Sequence, residues 1–504
     1  MPSYYSIHFG CRANQADAAA IEGDLFRKGW QAAGNVSAAD VVVLNSCTVT
    51  ASADSELRQI VRRIHLQAPR ARILVTGCYA QRRPEELAAL PGVEWVVGNS
   101  HKNEIGRLVA ESCSSHGAAP GSASLIPLTS LIPPAFSSID TDLRRLGSLV
   151  PSDNIVSNHP QAEIWVGDIS AQRKFAAAAH LGGFLEDRTR PNLKIQDGCN
   201  NRCSFCIIPS VRGLSRSLPV GDVLAQIRGL AHAGYREVVL SGVNLGQYGR
   251  DSPGKHTFVR LVHTILEETP IERLRLSSVE PMDFTDKLLD LMACTPRIAR
   301  HVHAPLQSGS DRILRGMHRK YRAAQYRDRI LAAYELMPDA AFGADVIVGF
   351  PGETEADFEA TRSLIQELPF TYLHVFPFSR RPGTPADQMK AQVNGAVVRE
   401  RGRFLRELAA EKNLRFRERH LGRTLRVLTL GESSMAGSGM EGTRALTDNY
   451  LKVVIAGPQI PANQCVNARM ISVGDGCLVG RCESAGDAHT SMEADPSMMT
   501  CASA

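Results

Sequence analysis

The sequence contains no run of about 18 apolar residues, so it predicts no membrane span. Its first residues lack the basic and apolar segments of a secretory signal peptide. The 504-residue chain nevertheless has 12 cysteines. In a long chain without a signal peptide, cysteines more often bind metals or stay free than form disulfides. We therefore expect a cytoplasmic protein with cysteine metal ligands and no membrane partner.

A large net charge is also missing, since the formal value of +5 does not identify a partner. The charge is concentrated locally, because residues 399–426 contain ten Lys or Arg against four Glu. Such a basic strip is an electrostatic footprint for a polyanion. From charge alone, a solvated helix face explains the strip equally well.

Three cysteines, Cys199, Cys203 and Cys206, form a CxxxCxxC motif directly after a short strand-like run. Cysteine thiolates are the usual ligands of iron–sulfur clusters. No fourth cysteine follows at a matching spacing, so one iron of a cubane would stay open for a non-protein ligand. Zinc or inert cysteines are the alternative, but a closed zinc site needs four ligands and no partner pair follows at zinc-finger spacing.

A second set of three cysteines lies in residues 1–112, which alternate between strand-like and helical segments. The strand-like runs at 4–9, 40–45, 72–76 and 94–97 predict a doubly wound parallel sheet. Cys11, Cys47 and Cys78 each follow the carboxyl end of a strand, where ligands bind in such sheets. Core cysteines are the alternative, but these would lie within strands. We expect a second cluster, again with three protein ligands.

The next segment, residues 113–187, is expected to be a low-complexity insert and linker. Residues 113–160 carry ten Ser and six Pro with few charges, which predicts disorder. A short helix is expected around 171–181. The boundary of the central domain is placed at residue 188.

Residues 188–420 predict a partial (β/α)6 barrel, because six strand candidates between 192 and 378 are too few for a closed eightfold barrel. The expected strands are 193–196, 237–241, 273–277, 301–306, 344–348 and 372–376. Chemistry in such barrels sits at the carboxyl ends of the strands, which is where Cys199 begins the cysteine motif. The other strand ends carry polar or glycine residues that suit ligand contact, although helix caps or loop anchors explain them as well: Ser241, Gly242, Glu280, Gln307 and Gly349.

The end of the chain predicts two further parts and a tail. Residues 396–421 form a basic helical stretch whose expected apolar side is Phe404, Leu405, Leu408 and Leu414. Residues 421–482 contain short strands, one of them expected at 450–455, with Gly and Asn turns between them. They predict a small β-barrel of a kind that binds RNA. Residues 483–504 are expected to be a disordered tail.

The motifs together resemble those of the radical S-adenosylmethionine (SAM) methylthiotransferase family. They are Gly10-Cys11, Asn14-Gln15, Asn45-Ser46-Cys47, Thr76-Gly77-Cys78, Gly198-Cys199, Arg202-Cys203, Cys206, Arg212-Gly213, Gln307-Ser308-Gly309 and Gly349-Phe350-Pro351-Gly352-Glu353. The resemblance implies two 4Fe–4S clusters, an auxiliary one at the N-terminal triplet and a radical-generating one at the central triplet. It further implies SAM, contacted by Ser241, Gly242, Glu280, Gln307 and Gly349, and a C-terminal RNA-binding TRAM domain.

The branch of the family sets the expected substrate. The chain looks most like the branch that methylthiolates C2 of N6-threonylcarbamoyladenosine in tRNA, next to the anticodon. The resemblance implies that one SAM methylates a cluster-borne sulfur and a second, reductively cleaved SAM yields the radical that takes the C2 hydrogen. The partners would be the tRNA anticodon stem-loop and a flavodoxin- or ferredoxin-like electron donor. The alternatives are N6-isopentenyladenosine in tRNA, an aspartate of a ribosomal protein, or a non-catalytic iron–sulfur RNA-binding protein.

Overall fold

A computed structural model describes residues 1–114, 162–172, 189–251, 257–435 and 441–483. These residues form an N-terminal sheet, a central open barrel and a small C-terminal barrel. Among the residues that the structure describes, no helix combines the length and the apolar character needed to cross a bilayer. The predicted fold class is confirmed in all three parts.

The N-terminal part is a parallel sheet with helices on both faces. Its strand order is β2-β1-β3-β4-β5-β6, with every neighbouring pair parallel. The strands are β1 (Ser3–His8), β2 (Gln31–Ala32), β3 (Val41–Ser46), β4 (Arg72–Gly77), β5 (Val93–Gly98) and β6 (Glu163–Trp165), and the helices are α1 (Arg12–Arg27), α2 (Ala51–Gln67), α3 (Cys78–Arg82), α4 (Pro84–Ala88) and α5 (Ile105–Ser114). Strand β3 is buried over its whole length, as a strand covered on both faces must be.

Strand β6 corrects the expectation of a structureless linker. Residues 163–165 pair in parallel with β5 and extend the N-terminal sheet by one edge strand. A 3-10 turn covers Ile169–Ala171, and the predicted helix at 171–181 lies outside the described residues apart from its first two. The expected disorder within 113–160 also falls outside them, apart from the last turn of α5.

The central part is an open barrel of six parallel strands flanked by helices. The strands join as β7-β10-β11 and β12-β13-β14, and a parallel bridge between Leu274 and Ile298 links the two groups. The elements are β7 (Asn192–Lys194), β8 (Gln196–Asp197), α6 (Ile208–Arg212), β9 (Arg216–Ser217), α7 (Val220–His232), β10 (Glu237–Ser241), α8 (Phe258–Glu268), β11 (Arg273–Leu276), α9 (Asp286–Cys294), β12 (His301–His303), α10 (Asp311–Gly316), α11 (Ala323–Leu336), β13 (Ala341–Val348), α12 (Glu355–Glu367) and β14 (Tyr372–Pro377).

The basic stretch forms helix α13 (Gly395–Glu418), which packs against α12 and β14. Its inner side differs from the expected one, because Leu414 is 39% exposed whereas Leu405 and Phe416 are buried. Eight of the ten basic residues in 399–426 have internal partners: Arg401 with Glu353 and Glu355, Arg403 with Glu407, Arg415 with Glu411, Arg419 and Arg423 with Asp339, Arg426 with Glu272, and Lys412 and Arg417 with carbonyl oxygens. Much of the strip is therefore paired within the chain.

The C-terminal part is a closed barrel with the strand order β15-β16-β17-β19-β18. Its strands are β15 (Thr424–Met435), β16 (Glu441–Thr447), β17 (Lys452–Ala456), β18 (Cys465–Val473) and β19 (Leu478–Cys482). The expected strand at 450–455 begins later, at Lys452. Tyr450 instead lies in the turn before it, with a φ of +66°.

Candidate cluster-binding centre

The N-terminal cysteines converge because their strands are neighbours. Cys11 caps the start of α1, Cys47 directly follows β3, and Cys78 is the first residue of α3 after β4. Burial and the neighbouring thiols of Cys78 and Cys11 raise the pKa of Cys47 to about 12. The Cys47 thiol is therefore costly to ionise unless a cation binds it, which suits a metal ligand.

Two glycines allow these loops to approach so closely. A Cβ atom on Gly10 would lie 2.9 Å from the Cys47 Sγ atom, and one on Gly77 would lie 2.4 Å from the Ser46 carbonyl oxygen. Both glycines have left-handed backbones, with φ of +93° and +98°. Glycine tolerates this conformation at no steric cost, so each cysteine depends on the glycine before it.

The central cysteines lie on the loop between β8 and α6. Cys206 is partly buried, and burial together with Cys203 and Cys199 raises the pKa of its thiol to about 12. Donors surround the sulfur atoms: the Asn201 amide lies 3.4 Å from the Cys199 Sγ, and Arg319 Nη1 lies 3.3 Å from the Cys203 Sγ. Hydrogen bonds to sulfur are one means by which a protein tunes a cluster.

The N-terminal cysteines lie beside the segment that follows the central cysteines, and we call the region between the two triplets the cleft. Cys78 packs against Ile207 and Val211, and Ile207 directly follows Cys206. Asn99 bridges the two sides, since its Nδ2 donates to the Val211 carbonyl at 2.8 Å and lies 3.6 Å from the Cys78 Sγ. The sequence analysis missed Asn99, although its position directly after β5 follows the same strand-end rule that identified the cysteines.

A buried ionic cluster joins the two halves of the cleft, and we call it the Asp17 network. Asp17 on α1 accepts from Lys102 Nζ at 2.8 Å, from Arg212 Nη2 at 2.9 Å and from Lys194. Arg212 also donates to Asp197 at 2.8 Å, next to the central cysteine loop. Burial would raise the pKa of Asp17, but the three cations hold it well below its ordinary value. No sequence motif pointed to Asp17 or Lys102, because their partners are distant in the chain.

Of the expected SAM contacts, Glu280 lies beside the central cysteines. Its carboxylate pairs with Arg319, which also donates to the Cys203 Sγ. Burial raises the pKa of Glu280, although Arg319 opposes that shift. Ser241 lies at the end of β10, and its buried Oγ has no hydrogen-bond partner among the described residues. Ser277 Oγ and Asn244 Oδ1 are buried and unpaired in the same way, which fits a polar ligand held at these strand ends.

The other expected SAM contacts, Gly242, Gln307 and Gly349, have structural roles within the chain. A Cβ atom on Gly242 would lie 2.9 Å from Gln196 Oε1, and one on Gly349 would lie 2.3 Å from Val398 on α13. Gln307 has a φ of +63°, and its backbone bonds to β13 through Asp345 and Ile347. These three residues shape the strand ends, whereas Ser241 and Glu280 offer side-chain groups to a ligand.

Another polar group lies on the inner face of β12, β13 and β14. His303 Nε2 and His374 Nδ1 lie 3.2 Å and 3.1 Å from the same oxygen of Asp345. Burial would raise the pKa of Asp345, but hydrogen bonds from both histidines hold it below its ordinary value. The three side chains have the donor types of a metal site, and two hydrogen bonds already account for their geometry. Sequence reasoning missed this group.

Two family models match the chain. Residues 3–98 match the uncharacterized protein family UPF0004, and residues 193–365 match the radical SAM superfamily. The first match covers Cys11, Cys47 and Cys78, and the second covers the central triplet. Radical SAM proteins use a 4Fe–4S cluster and SAM, and the first family suggests a second cluster.

Curated relatives match over nearly the whole chain. The threonylcarbamoyladenosine tRNA methylthiotransferase MtaB of Aquifex aeolicus is 35% identical over 88% of this chain and 94% of its own. The protein of the same name from Bacillus subtilis is 34% identical over 92% of this chain and 93% of its own. The tRNA-2-methylthio-N(6)-dimethylallyladenosine synthase of Thermobifida fusca is 35% identical over 84% and 77%.

A solved structure shares the fold. The radical SAM methyltransferase TsrM from Kitasatospora setae, solved with tryptophan and a SAM analogue, has a TM-score of 0.51 and 16% identity. The similarity covers 77% of this chain and 75% of that chain. At this identity the likeness concerns the arrangement of strands and helices alone.

Proposed function

Since this chain belongs to the radical SAM methylthiotransferases that act on tRNA, we propose that its substrate is N6-threonylcarbamoyladenosine next to the anticodon. The product is the 2-methylthio derivative of that nucleoside. The names of the relatives from Aquifex aeolicus and Bacillus subtilis support this substrate. The relative from Thermobifida fusca has comparable identity and supports N6-dimethylallyladenosine as the second candidate.

One observation supports the proposed chemistry above the others. Cys78 and the central cysteine loop lie on the same cleft, joined by Val211 and Asn99. A methylthiolation needs a place where a carbon radical forms and, next to it, a place that carries sulfur. Two clusters on one cleft meet this requirement without movement of either domain.

The residues of this chain then take distinct tasks. Cys11, Cys47 and Cys78 hold an auxiliary 4Fe–4S cluster, and Cys199, Cys203 and Cys206 hold the second cluster. With SAM bound, the clusters supply radical formation and the transferred sulfur. Ser241 and Glu280 orient SAM at the strand ends, Arg319 donates to the Cys203 sulfur, and the Asp17 network fixes the distance between the two triplets.

The C-terminal barrel binds the substrate RNA, and a separate protein delivers the electron. The C-terminal barrel resembles small barrels that bind RNA, and it positions the anticodon stem-loop over the cleft. A reduced flavodoxin- or ferredoxin-like protein supplies the electron.

Iron counting tests the assignment of ligands. After anaerobic reconstitution we expect about eight iron atoms per chain, and about four in Cys11→Ala and in Cys203→Ala. Cys294→Ala is the matched control, because this exposed cysteine lies outside both triplets, and it should keep the full iron content. Unchanged iron in Cys11→Ala would remove the auxiliary cluster from the proposal.

Two synthetic anticodon stem-loops test the substrate. One carries N6-threonylcarbamoyladenosine and the other N6-isopentenyladenosine, and each is incubated with protein, SAM and reductant. Mass spectrometry of the nucleosides should find a methylthio group on the first substrate. Modification of the second alone, or of ribosomal protein in place of RNA, would overturn the proposed substrate.

A further inference from the structure

Five side chains from all three parts of the chain meet beside the inner face of the open barrel. Arg12 comes from α1, Arg275, His301 and Tyr372 from the barrel strands, and Tyr450 from the C-terminal part. The Tyr450 ring lies 4.7 Å from that of His301 and 5.8 Å from that of Tyr372, measured between ring centroids. We call these five residues the Arg12 pocket.

Tyr450 reaches this pocket through a strained turn. Its φ of +66° is uncommon for a residue other than glycine. The turn is held by Asn449, which donates to the Asp339 carbonyl at 2.9 Å, and by Thr447, whose Oγ1 accepts from the Leu451 amide at 2.8 Å. Strain of this kind persists where the surrounding structure enforces it, and it is common at ligand sites.

The charge around the pocket is unbalanced. Arg190, Arg273 and Arg275 all pair with the buried carboxylate of Glu237. Arg12 has no carboxylate within ion-pair distance among the residues that the structure describes, and its Nη2 donates to the Tyr450 hydroxyl at 3.2 Å.

Four guanidinium groups therefore lie near three carboxylates, namely Glu237, Asp448 beside Arg275, and Asp345 near Tyr372. Such an excess of cations stabilises an anion that enters the pocket.

Two side chains respond to this positive potential. Burial lowers the pKa of His301 well below its ordinary value, and Arg275 and Arg12 lower it further. Burial would raise the pKa of Tyr450, but Arg12, Arg190 and Arg275 lower it below its ordinary value. The lowered pKa of the Tyr450 phenol indicates that negative charge is favoured here, whereas the His301 shift comes mainly from burial.

The pocket opens along the edge strand β14. Tyr372, His374 and Phe376 alternate along its inner face, and His374 and Phe376 are exposed. Neighbouring rings lie 5.4 Å and 6.3 Å apart. Aromatic side chains of this kind stack with a nucleobase that has left its helix. A base on this strand can direct a substituent toward Arg12.

We propose that Arg12 and the Tyr450 hydroxyl bind a carboxylate on the N6 substituent of the substrate adenosine. This inference rests on the proposed function, because the threonylcarbamoyl group carries such a carboxylate and the isopentenyl group does not. Arg12 directly follows Cys11, so binding the carboxylate would also fix the adenine relative to the N-terminal cysteines. A phosphate of the RNA backbone is the other anion that Arg12 could bind.

The test compares two anticodon stem-loops that differ in one group, the threonyl carboxylate or its uncharged carboxamide. The carboxamide cannot accept a charge-assisted bidentate contact from Arg12. Wild-type protein should therefore prefer the carboxylate by about 30-fold in kcat/KM and in binding affinity. In Arg12→Met this preference should fall to within about threefold, because the loss on the carboxylate stem-loop exceeds any loss on the carboxamide. Binding is measured by fluorescence anisotropy without reductant, so that it does not depend on turnover.

Two further variants provide the test if Arg12→Met does not fold or does not hold its clusters. Arg12→Lys should retain part of the preference, because lysine keeps the charge but not the planar fork. Tyr450→Phe should lower the preference without abolishing it. All ratios are compared at equal iron content per chain.

Two results would overturn the inference while leaving the proposed substrate in place. One is an equal loss on both stem-loops in Arg12→Met, which would assign Arg12 to a backbone phosphate. The other is an unchanged preference. Failure of wild-type protein to modify either stem-loop, with activity on isopentenyladenosine, would overturn the proposed substrate and this inference together.

Discussion

Gly77 shows how one residue controls the position of a cysteine. The residue lies between β4 and Cys78, and its backbone has a φ of +98° beside the Ser46 carbonyl. Any side chain at this position would push the β4 loop away from the β3 loop. Since Cys47 and Cys78 belong to those two loops, their separation depends on this glycine.

Gly77→Ala should therefore destabilise the chain and disturb the N-terminal triplet. We expect a loss of about 3 kcal/mol, since a left-handed alanine costs about 1–2 kcal/mol and the contact with backbone adds strain. Urea unfolding and iron analysis measure the two effects. Gly29→Ala is the control, because Gly29 has a φ of +83° but open space around it, and about 1 kcal/mol is expected. Equal losses would contradict the role of the close approach.

Asp17 is a buried carboxylate with several ion-pair partners. Its carboxylate is 1% exposed and meets Lys102, Lys194 and Arg212, which come from separate segments of the chain. Removing one member of a buried ionic group leaves the others uncompensated, which costs more than the group contributes when it is intact.

Asp17→Asn should lower the free energy of unfolding by about 3–5 kcal/mol, because three buried cations lose their shared counter-ion. Urea unfolding of both proteins measures the change. Asp24→Asn on the same helix is the control, since Asp24 pairs with Arg27 and Lys28 near the surface, and at most about 1 kcal/mol is expected. A loss below that of the control would show that the Asp17 network is not needed for folding.

At the scale of elements, helix α13 connects the open barrel to the C-terminal barrel. His420 follows the end of the helix and is buried, with Nδ1 2.8 Å from the Phe416 carbonyl and Nε2 3.0 Å from Asn449 Nδ2. Burial lowers its pKa from the ordinary 6.5, although the Phe416 carbonyl opposes this shift. The folded state therefore favours the neutral ring.

This pKa shift gives a pH dependence with a defined sign. Below about pH 6.5 the unfolded chain takes up a proton on this imidazole that the folded chain does not, so stability is lost as the pH falls. Between pH 8 and pH 5.5 we expect wild-type protein to lose about 1 kcal/mol more than His420→Gln. Urea unfolding at both pH values measures the difference. His301 titrates in the same direction, but it is present in both proteins and cancels. Equal pH slopes would contradict the prediction.

At the scale of the whole molecule, Arg381 ties the N-terminal sheet to the segment after β14. Its Nη1 donates to Asp54 at 2.6 Å and to the Thr48 carbonyl at 3.2 Å, directly after Cys47. The side chain is 4% exposed. Arg381 therefore lies at the junction between the N-terminal sheet and the central part.

Arg381→Met should weaken this junction by about 3 kcal/mol, because Asp54 loses one of two buried cations and the Thr48 carbonyl loses a donor. Hydrogen exchange should increase at residues 48–54 and 379–384. The adjacent Arg380→Met is the matched control, since Arg380 is 59% exposed and pairs with Asp387 on the same loop. An identical exchange pattern in the two variants would rule out the proposed tie.

Much of this organisation could be predicted from the sequence. Strand β10 was expected at 237–241 and is found at Glu237–Ser241, because a short apolar run between helical segments is a local signal. The strand-end positions of the six cysteines were predicted for the same reason. Strand β6 was missed, because three residues at a sheet edge give no periodicity and its partner β5 lies about sixty residues earlier. The turn at Tyr450 was missed, because its aromatic side chain favours a strand locally.

The sequence by itself determined the elements, the order of the domains and the two cysteine triplets, since each depends on neighbouring residues and on short spacings. Only the tertiary structure decided that Cys78 meets the central cysteine loop, that Asp17 is shared by three cations, and that Arg12 lies beside Tyr450. These contacts join residues up to 438 positions apart. Their energies arise from burial and charge in the assembled fold, which local sequence patterns do not encode.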